Sequence, residues 1–270
     1  MDAITHNSPA IADQKIPAFA FLYTKYTSMA ELVNALAWNW EAGKRRIFMS
    51  KTEPFFQQLG DKYAAYYNNL SLLTREQPES KDICYFNLLY TLNPSLSSFH
   101  WRSSHYANMN ELGHSILDAL HDDGAAEIEK FSEMFQAHLF STRQEIIAPG
   151  SQSAQSLKTI EEKFNETHGK NAQYNQLYIL AYIGYYYAEE KKLLAQNCSF
   201  SSVSELVDRA KQLYINRNDE FGALAGELVI GSKLKKGIGN FLPSPQFAAW
   251  LLASGFELSV HKILGIPRLE

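Results

Sequence analysis

The sequence predicts an all-α protein of about ten helices, arranged in two or three divergent helical clusters. One helix-start motif occurs three times, with its capping residue at Ser28, Asn108 and Ser202. Between these starts, apolar residues recur at every third or fourth position, which is typical of helices with one buried face. The chain also has only 9 Pro and 14 Gly in 270 residues, fewer than a protein of many short strands needs.

The three copies of the motif share an aromatic residue two positions before the cap and Glu-Leu three and four positions after it. They span residues 26–32, 106–112 and 200–206. The cap oxygen can accept a hydrogen bond from the amide three residues on, and the glutamate there can bond back. Each copy is therefore a capping box. The caps are 80 and 94 residues apart, further than in common helical solenoids.

In the first half of the chain, helical spacing predicts helices at residues 28–46, 52–67, 79–92, 108–121 and 125–141. The first of these ends in Lys44, Arg45 and Arg46, and cations suit the negative end of a helix dipole. Residues 95–105 are predicted to be irregular, because Asn93-Pro94 ends the helix before them.

In the second half, helices are predicted at residues 157–169, 172–196, 202–216, 219–230 and 243–254, with a short one ending near 264. The helix at 172–196 is apolar nearly all round and should be central. Residues 143–156 contain Pro-Gly and much Ser and Gln, which indicates a linker. It would join an N-terminal helical subdomain (1–142, with an arm at 1–15) to a C-terminal one (157–270), unless the chain is one continuous domain.

Composition favours a globular protein, with 46% hydrophobic and 20% charged residues. Its two cysteines are too few for a disulfide framework and lack a metal-binding spacing. The N-terminus lacks the pattern of a secretory signal, and the apolar run at 16–23 is far shorter than the ~20 residues of a membrane span. We therefore expect a cytoplasmic protein with no membrane partner. No sequence feature calls for a cofactor.

Two stretches that combine aromatic and basic residues form the predicted partner-binding site. Tryptophan and arginine favour interfaces, and functional residues favour loops on rigid scaffolds. In a helix Trp38 and Trp40 point to different sides, so one should be core and the other exposed. The opposing interpretation is that Trp101 pins its loop into the core and that the basic run only complements the helix dipole. The predicted partner-binding residues are Trp38, Arg45, Arg46, His100, Trp101, Arg102 and His105.

A second candidate site lies on the predicted helix 108–121. His114, Asp118 and His121 share one face of this helix, and such side chains can ligate zinc or iron. Leu112 and Ile116 point almost to the opposite side. Metal sites in helical bundles project inward, so the simpler interpretation is that the histidine face is solvated.

The sequence contains none of the common catalytic or phosphate-binding motifs, although catalytic groups need only meet in space. Our leading hypothesis is an interaction or scaffold protein that presents aromatic residues to a protein partner. One alternative is a metal-dependent or small-ligand-binding helical enzyme that uses the His114, Asp118 and His121 face. Another is a nucleic-acid binder through Arg45, Arg46 and residues 233–236, which the net charge of −4 disfavours. Whether the chain is catalytic, and its oligomeric state, stay open at this point.

Overall fold

The computed structural model describes residues 15–122, 124–167, 172–231 and 241–269. Contacts between Cα atoms divide the chain into two compact units. Unit 1 comprises residues 1–108 and 139–155, and unit 2 comprises residues 109–138 and 156–270. Each unit therefore consists of two separate stretches of the chain. Residues 1–14 of the predicted arm and the basic residues 233–236 lie outside the described residues.

Helices dominate both units, so the helical class is confirmed. In unit 1 they are α1 Met29–Trp38, α2 Trp40–Ile47, α3 Glu53–Leu59, α4 Asp61–Glu76, α5 Lys81–Leu92 and α8 Leu139–Ile147. In unit 2 they are α6 Met109–His121, α7 Ala125–Gln136, α10 Ala172–Tyr187, α11 Val203–Asn216, α12 Asn218–Leu228, α13 Pro245–Ala253 and α14 Ser259–Leu264. Helix α9, Gln152–Glu166, starts in the last residues of unit 1 and continues in unit 2. No helix of the described ranges combines the length and the apolar character that crossing a membrane would require.

Four antiparallel β-hairpins accompany the helices in the described part of the chain, and the sequence analysis did not predict them. They pair β1 Lys15–Phe21 with β2 Thr24–Ser28, β3 Phe99–Trp101 with β4 Ser104–Tyr106, β5 Leu193–Ala195 with β6 Cys198–Phe200, and β7 Val229–Gly231 with β8 Phe241–Pro243. At most two residues separate the end of each hairpin from the start of the next helix, which is α1, α6, α11 or α13. A hairpin followed by a helix is thus a recurring local arrangement.

The repeated helix-start motif encodes the second strand of a hairpin as well as a helix start. In the first three hairpins its aromatic residue pairs with an apolar residue seven positions earlier, as Phe19 with Tyr26, Phe99 with Tyr106 and Leu193 with Phe200. Each of these hairpins has a two-residue loop whose first residue has a positive φ, at Leu22, Arg102 and Gln196. Such loops match the twist of paired strands. The grouping of helices into repeated clusters stays a prediction.

The three helices start directly after the predicted caps, but the capping bonds differ. Ser202 Oγ accepts from Glu205 N at 3.3 Å, and Glu205 Oε2 accepts from Ser201 N at 2.8 Å. Ser28, by contrast, makes no side-chain cap bond. It is still a strand residue and pairs with Lys15. The motif therefore locates the helix starts correctly. Its capping-box interpretation fits the helix that follows Ser202 and does not fit the helix that follows Ser28.

Two other segments differ from the sequence-based expectation. The central helix ends at Tyr187 instead of residue 196, because residues 193–195 pair as strand β5 and Asn110 Oδ1 accepts from Glu189 N at 2.8 Å. Residues 143–156, expected to form a linker, lie mostly in α8 and α9, with only 148–151 outside helices. Gln152 and Gln155 are exposed on α9, and composition alone does not distinguish the polar side of a helix from a linker.

Each unit is organised around one buried helix. In unit 1 this is α5, which packs against α1, α2, α4, α8 and β3 and buries Tyr85, Phe86 and Tyr90 completely. In unit 2 it is α10, which packs against α6 and α13 and is buried from Tyr178 to Tyr185. The expectation that the apolar helix starting at residue 172 is central is therefore confirmed for unit 2.

Helices α6 and α10 cross at two glycines. A Cβ atom on Gly113 would lie 2.7 Å from Ala188 N and 2.8 Å from Gly184 O, both of which are backbone atoms. A Cβ on Gly184 would lie 2.9 Å from the Leu117 side chain. The two helix backbones therefore approach each other too closely for any side chain at Gly113.

Replacing Gly113 with alanine should lower the free energy of unfolding by about 1–3 kcal/mol, because the new methyl group forces the two backbones apart. Gly226→Ala is the matched control, since an added Cβ there meets no atom within 4 Å in the described structure. That exposed helical change should raise stability by about 0.5–1 kcal/mol. Urea unfolding followed by far-UV circular dichroism measures both. Equal stabilising effects of the two changes would contradict the close crossing.

Candidate partner-binding site

Trp38 and Trp40 occupy opposite environments in unit 1. Trp38 ends α1 and is 52% exposed, whereas Trp40 begins α2 and is 4% exposed. Asn39 between them breaks the helix, and its side-chain amide donates to Ala35 O at 2.9 Å. The prediction that one tryptophan is core and the other exposed is therefore confirmed.

The hairpin β3–β4 places His100 and His105 directly opposite each other. Their Nδ1 atoms are 2.8 Å apart, so one of them donates a hydrogen bond to the other. His100 is completely buried, and its Nε2 lies 2.8 Å from Ser98 Oγ. Tyr90 Oη fixes the same strand, because it donates to Ser98 O at 2.8 Å and accepts from His100 N at 3.3 Å.

The histidine pair is held in its neutral form. Burial, with a smaller contribution from the charge of His105, lowers the pKa of His100 to about 4. Burial also lowers the pKa of His105. When both imidazoles are neutral, one Nδ1 can carry a proton and donate it in a hydrogen bond to the other Nδ1. When both are charged, both Nδ1 atoms are donors and face each other without an acceptor. The dry environment thus preserves the short contact.

Trp38 packs on this histidine pair. Its ring centroid lies 4.9 Å from that of His105, with a tilt of 33° between the planes, and 5.3 Å from that of His100 in an edge contact. Aromatic contacts of this kind stabilise a defined ring orientation. The exposed indole is therefore held in place by the hairpin.

Asp82, in the first turn of α5, joins the tryptophan and arginine residues of the site. Its Oδ1 accepts from Trp40 Nε1 at 2.8 Å and from Lys44 Nζ, and its Oδ2 accepts from Arg102 Nε at 3.2 Å. The guanidinium of Arg102 also lies 5.1 Å from the centroid of the Trp101 ring. One carboxylate thus ties helix α2 to the turn of hairpin β3–β4.

The ion pair of Asp82 and Lys44 is largely enclosed, with the two side chains only 19% and 13% exposed. Burial alone would raise the pKa of Asp82, but the hydrogen bonds from Lys44 and Trp40 outweigh it and hold the pKa below its ordinary value. Burial alone would lower the pKa of Lys44, but its bonds to Asp82 and Glu41 hold that pKa above its ordinary value. Both groups are therefore charged at neutral pH.

A groove of about 460 Å³ opens between the start of α2 and the turn of hairpin β3–β4. Trp40 and Ala42 supply its apolar part, and Arg102 at its edge has a side chain that is 49% exposed. We call this groove, together with Trp38, the Trp38 surface. The groove is lined by Asn39, Trp40, Glu41, Ala42, Arg102, Ser103 and His105.

Five of the seven residues predicted for partner binding lie close together here, namely Trp38, His100, Trp101, Arg102 and His105, but His100 and Trp101 are buried and cannot contact a partner. Arg46 instead contacts hairpin β1–β2, where its Nε donates to Ala20 O at 3.3 Å and its guanidinium lies over Phe19. Arg45 is exposed on α2. The roles of Asp82 and Lys44 could not be predicted from the sequence, because they depend on contacts between distant segments.

The predicted metal-binding residues lie on α6 of unit 2. Asp118 and His121 are exposed and His114 is half-buried, whereas Leu112 and Ile116 on the other side of the helix are buried. In the part of the chain that the structure describes, no three His, Cys, Asp or Glu side chains are grouped so that they could hold a metal ion. The metal site gains no support from this geometry.

Comparisons with known proteins add no family to these observations. The chain matched no family model, no curated protein and no solved structure. The function is therefore inferred from the geometry of the site.

Proposed function

We propose that this chain is a protein-binding protein, of the adaptor or scaffold kind, and that it binds its partner through the Trp38 surface. The observation that supports this most directly is the exposed indole of Trp38, which rests on the His100–His105 pair. A tryptophan ring buries a large apolar area when another protein covers it, and this burial stabilises the complex. Because the ring is already fixed, little side-chain entropy is lost when a partner covers it.

The surface also has the residue types that dominate binding energies at interfaces, namely tryptophan and arginine. His105 connects these two residues, because its ring packs against Trp38 and it lines the groove together with Arg102. A buried network around Asp82 fixes the position of Arg102 without covering its side chain. Fixed anchors that are partly exposed are typical of a preformed docking site.

The chemistry of the groove favours a partner segment with an apolar side chain next to a carboxylate. The acidic groups of the site are already bonded to cations, since Glu41 accepts from Lys44 and Asp82 accepts from Lys44 and Arg102. A cation from a partner would have to compete for them. The side chain of Arg102 is 49% exposed and its guanidinium has five N–H donors, so it can bond to a partner carboxylate in addition to Asp82. The apolar side chain would pack on Trp38.

Peptide display against the purified full-length chain tests this proposal. We expect selection to enrich peptides in which an aromatic or aliphatic residue adjoins Asp or Glu. Trp38→Ala should weaken their binding by about tenfold or more, measured by fluorescence anisotropy of the labelled peptide. Loss of a tryptophan that anchors an interface typically costs more than about 1 kcal/mol, and a tenfold change in affinity corresponds to about 1.4 kcal/mol. Arg102→Gln should weaken the binding of peptides that carry the carboxylate more than the binding of the same peptides with an amide in its place.

Tyr214→Ala is the matched control, because Tyr214 is an exposed aromatic residue of unit 2 at 65% exposure. It should leave peptide affinity unchanged. Circular dichroism of each variant separates loss of binding from loss of folding. If the enriched peptides bind the Trp38→Ala variant as tightly as they bind the original chain, the Trp38 surface is not the docking site.

A further inference from the structure

Unit 2 contains a cleft of about 630 Å³ that takes no part in the proposed partner binding. The end of α6, the first turns of α10, the turn of hairpin β5–β6 and the end of α12 all contribute residues to it. Its volume lies within the range of about 300–1,000 Å³ that is typical of small-molecule sites. His121, from the predicted metal-binding set, is one of its lining residues.

The cleft combines apolar walls with a small number of polar groups. Leu120, Leu177 and Leu194 supply apolar surface. Glu227 is the one acidic residue among the lining residues that the structure describes, and none of these is lysine or arginine. Glu227 is exposed, and its negative charge attracts a positively charged ligand to the cleft.

The carboxylate of Glu227 is held in place by the backbone. Its Oε2 accepts from Gln196 N at 2.7 Å, in the tight turn of hairpin β5–β6. Gln196 and Asn197 of this turn both have positive φ, with values of 49° and 56°, as two-residue hairpin loops require. Across the cleft, Tyr174 Oη donates to Pro243 O at 2.8 Å and fixes the start of α10. The polar groups are thus attached to a fixed frame.

We propose that this cleft binds a small molecule that carries one amino or guanidino cation on an aliphatic body. The cation bonds to the carboxylate of Glu227, and the aliphatic part packs against Leu120, Leu177 and Leu194. The amide groups of Gln173 and Asn197 can bond to further polar atoms of the ligand. Binding requires no reaction, and the site is independent of the Trp38 surface.

A ligand panel tests the charge and the shape of this proposal. The panel pairs aliphatic amines and guanidines with alcohols and carboxylic acids of the same carbon skeleton, and calorimetry on the full-length chain measures binding. We expect the cations to bind about tenfold or more tightly than their uncharged or acidic counterparts. Glu227→Gln keeps an acceptor for Gln196 N but removes the charge. It should therefore weaken the binding of the cations by a similar factor.

Glu129→Gln is the control, because Glu129 is exposed on α7 of the same unit and is not among the residues that line the cleft. It should leave ligand affinity unchanged. Trp38→Ala should also leave it unchanged, so failure of the partner-binding proposal and failure of this one are distinguishable. The inference is overturned if no amine or guanidine binds at millimolar concentration, if acids bind better, or if Glu227→Gln binds the cations normally.

Discussion

Asp82→Ala is expected to lower the free energy of unfolding of unit 1 by about 3 kcal/mol. The change removes the acceptor of Trp40 Nε1 and leaves the largely enclosed ammonium of Lys44 with only Glu41. Removing one partner of an enclosed ion pair costs far more than the pair itself contributes, because an uncompensated charge stays behind. Urea unfolding followed by tryptophan fluorescence measures the loss, since three of the four tryptophans, Trp38, Trp40 and Trp101, lie in unit 1.

Two further variants identify the cause of this loss. Asp208→Ala removes an ion pair with Lys211 in which both side chains are about two-thirds exposed, so its effect should stay within about 0.5 kcal/mol. The double change Asp82→Leu with Lys44→Met removes both charges together and should recover part of the lost stability. The single changes Asp82→Leu and Lys44→Met are measured beside it. If the double variant loses more free energy of unfolding than the two single changes lose in total, the unpaired charge is not the source of the effect.

The role of Asp82 also shows where sequence reasoning stops. Its main partners lie 42, 38 and 20 residues away, at Trp40, Lys44 and Arg102. Neither periodicity nor a local motif links these positions. The run of Lys44, Arg45 and Arg46 at the end of α2 looked uniform, yet each of its side chains has a different environment. Lys44 is enclosed, Arg46 lies over Phe19, and Arg45 is exposed.

Helices could be predicted because their apolar residues recur over several turns, whereas the hairpins could not. Strands β3 to β8 are three residues long, which is too short for an alternating pattern to stand out. The two-residue loops Arg102-Ser103 and Gln196-Asn197 also lack the glycine that usually marks such a turn. The recurring aromatic residue before each cap was the available signal. It reflects strand pairing, and we had assigned it to the helix start alone.

The sequence did indicate the composition of the candidate site. Aromatic and basic residues are concentrated at Trp38 and in the stretch from His100 to His105, and the structure brings these residues together, with Trp38 exposed and His100 and Trp101 buried. The contact between the two imidazoles could not be predicted, because it depends on the cross-strand register. That register puts residues five positions apart on the same side of the hairpin. A helix would have placed them on different faces.

The burial of His100, with a smaller contribution from His105, makes stability depend on pH. The folded chain binds a proton on His100 only near pH 4, whereas the unfolded chain binds it near the ordinary value of 6.5. Between these values the unfolded state binds more protons, so acid favours unfolding. The contribution is complete above about pH 6.5 and is lost as pH falls toward 4, and the difference between these pKa values corresponds to about 3 kcal/mol. Urea unfolding at several pH values, followed by tryptophan fluorescence, measures this decline.

His100→Asn removes the titrating ring and should flatten the decline of unit 1 between pH 6.5 and 4 by about 3 kcal/mol, although it lowers stability at neutral pH. His121→Asn is the control for losing a histidine as such, since His121 is exposed on α6 of unit 2. A wild-type decline that survives in the His100 variant would assign the acid sensitivity to other groups.

Since Trp38 rests on the two imidazoles, protonation of the pair should also release the indole. Peptide affinity at the Trp38 surface should therefore fall over the same pH range in which stability is lost.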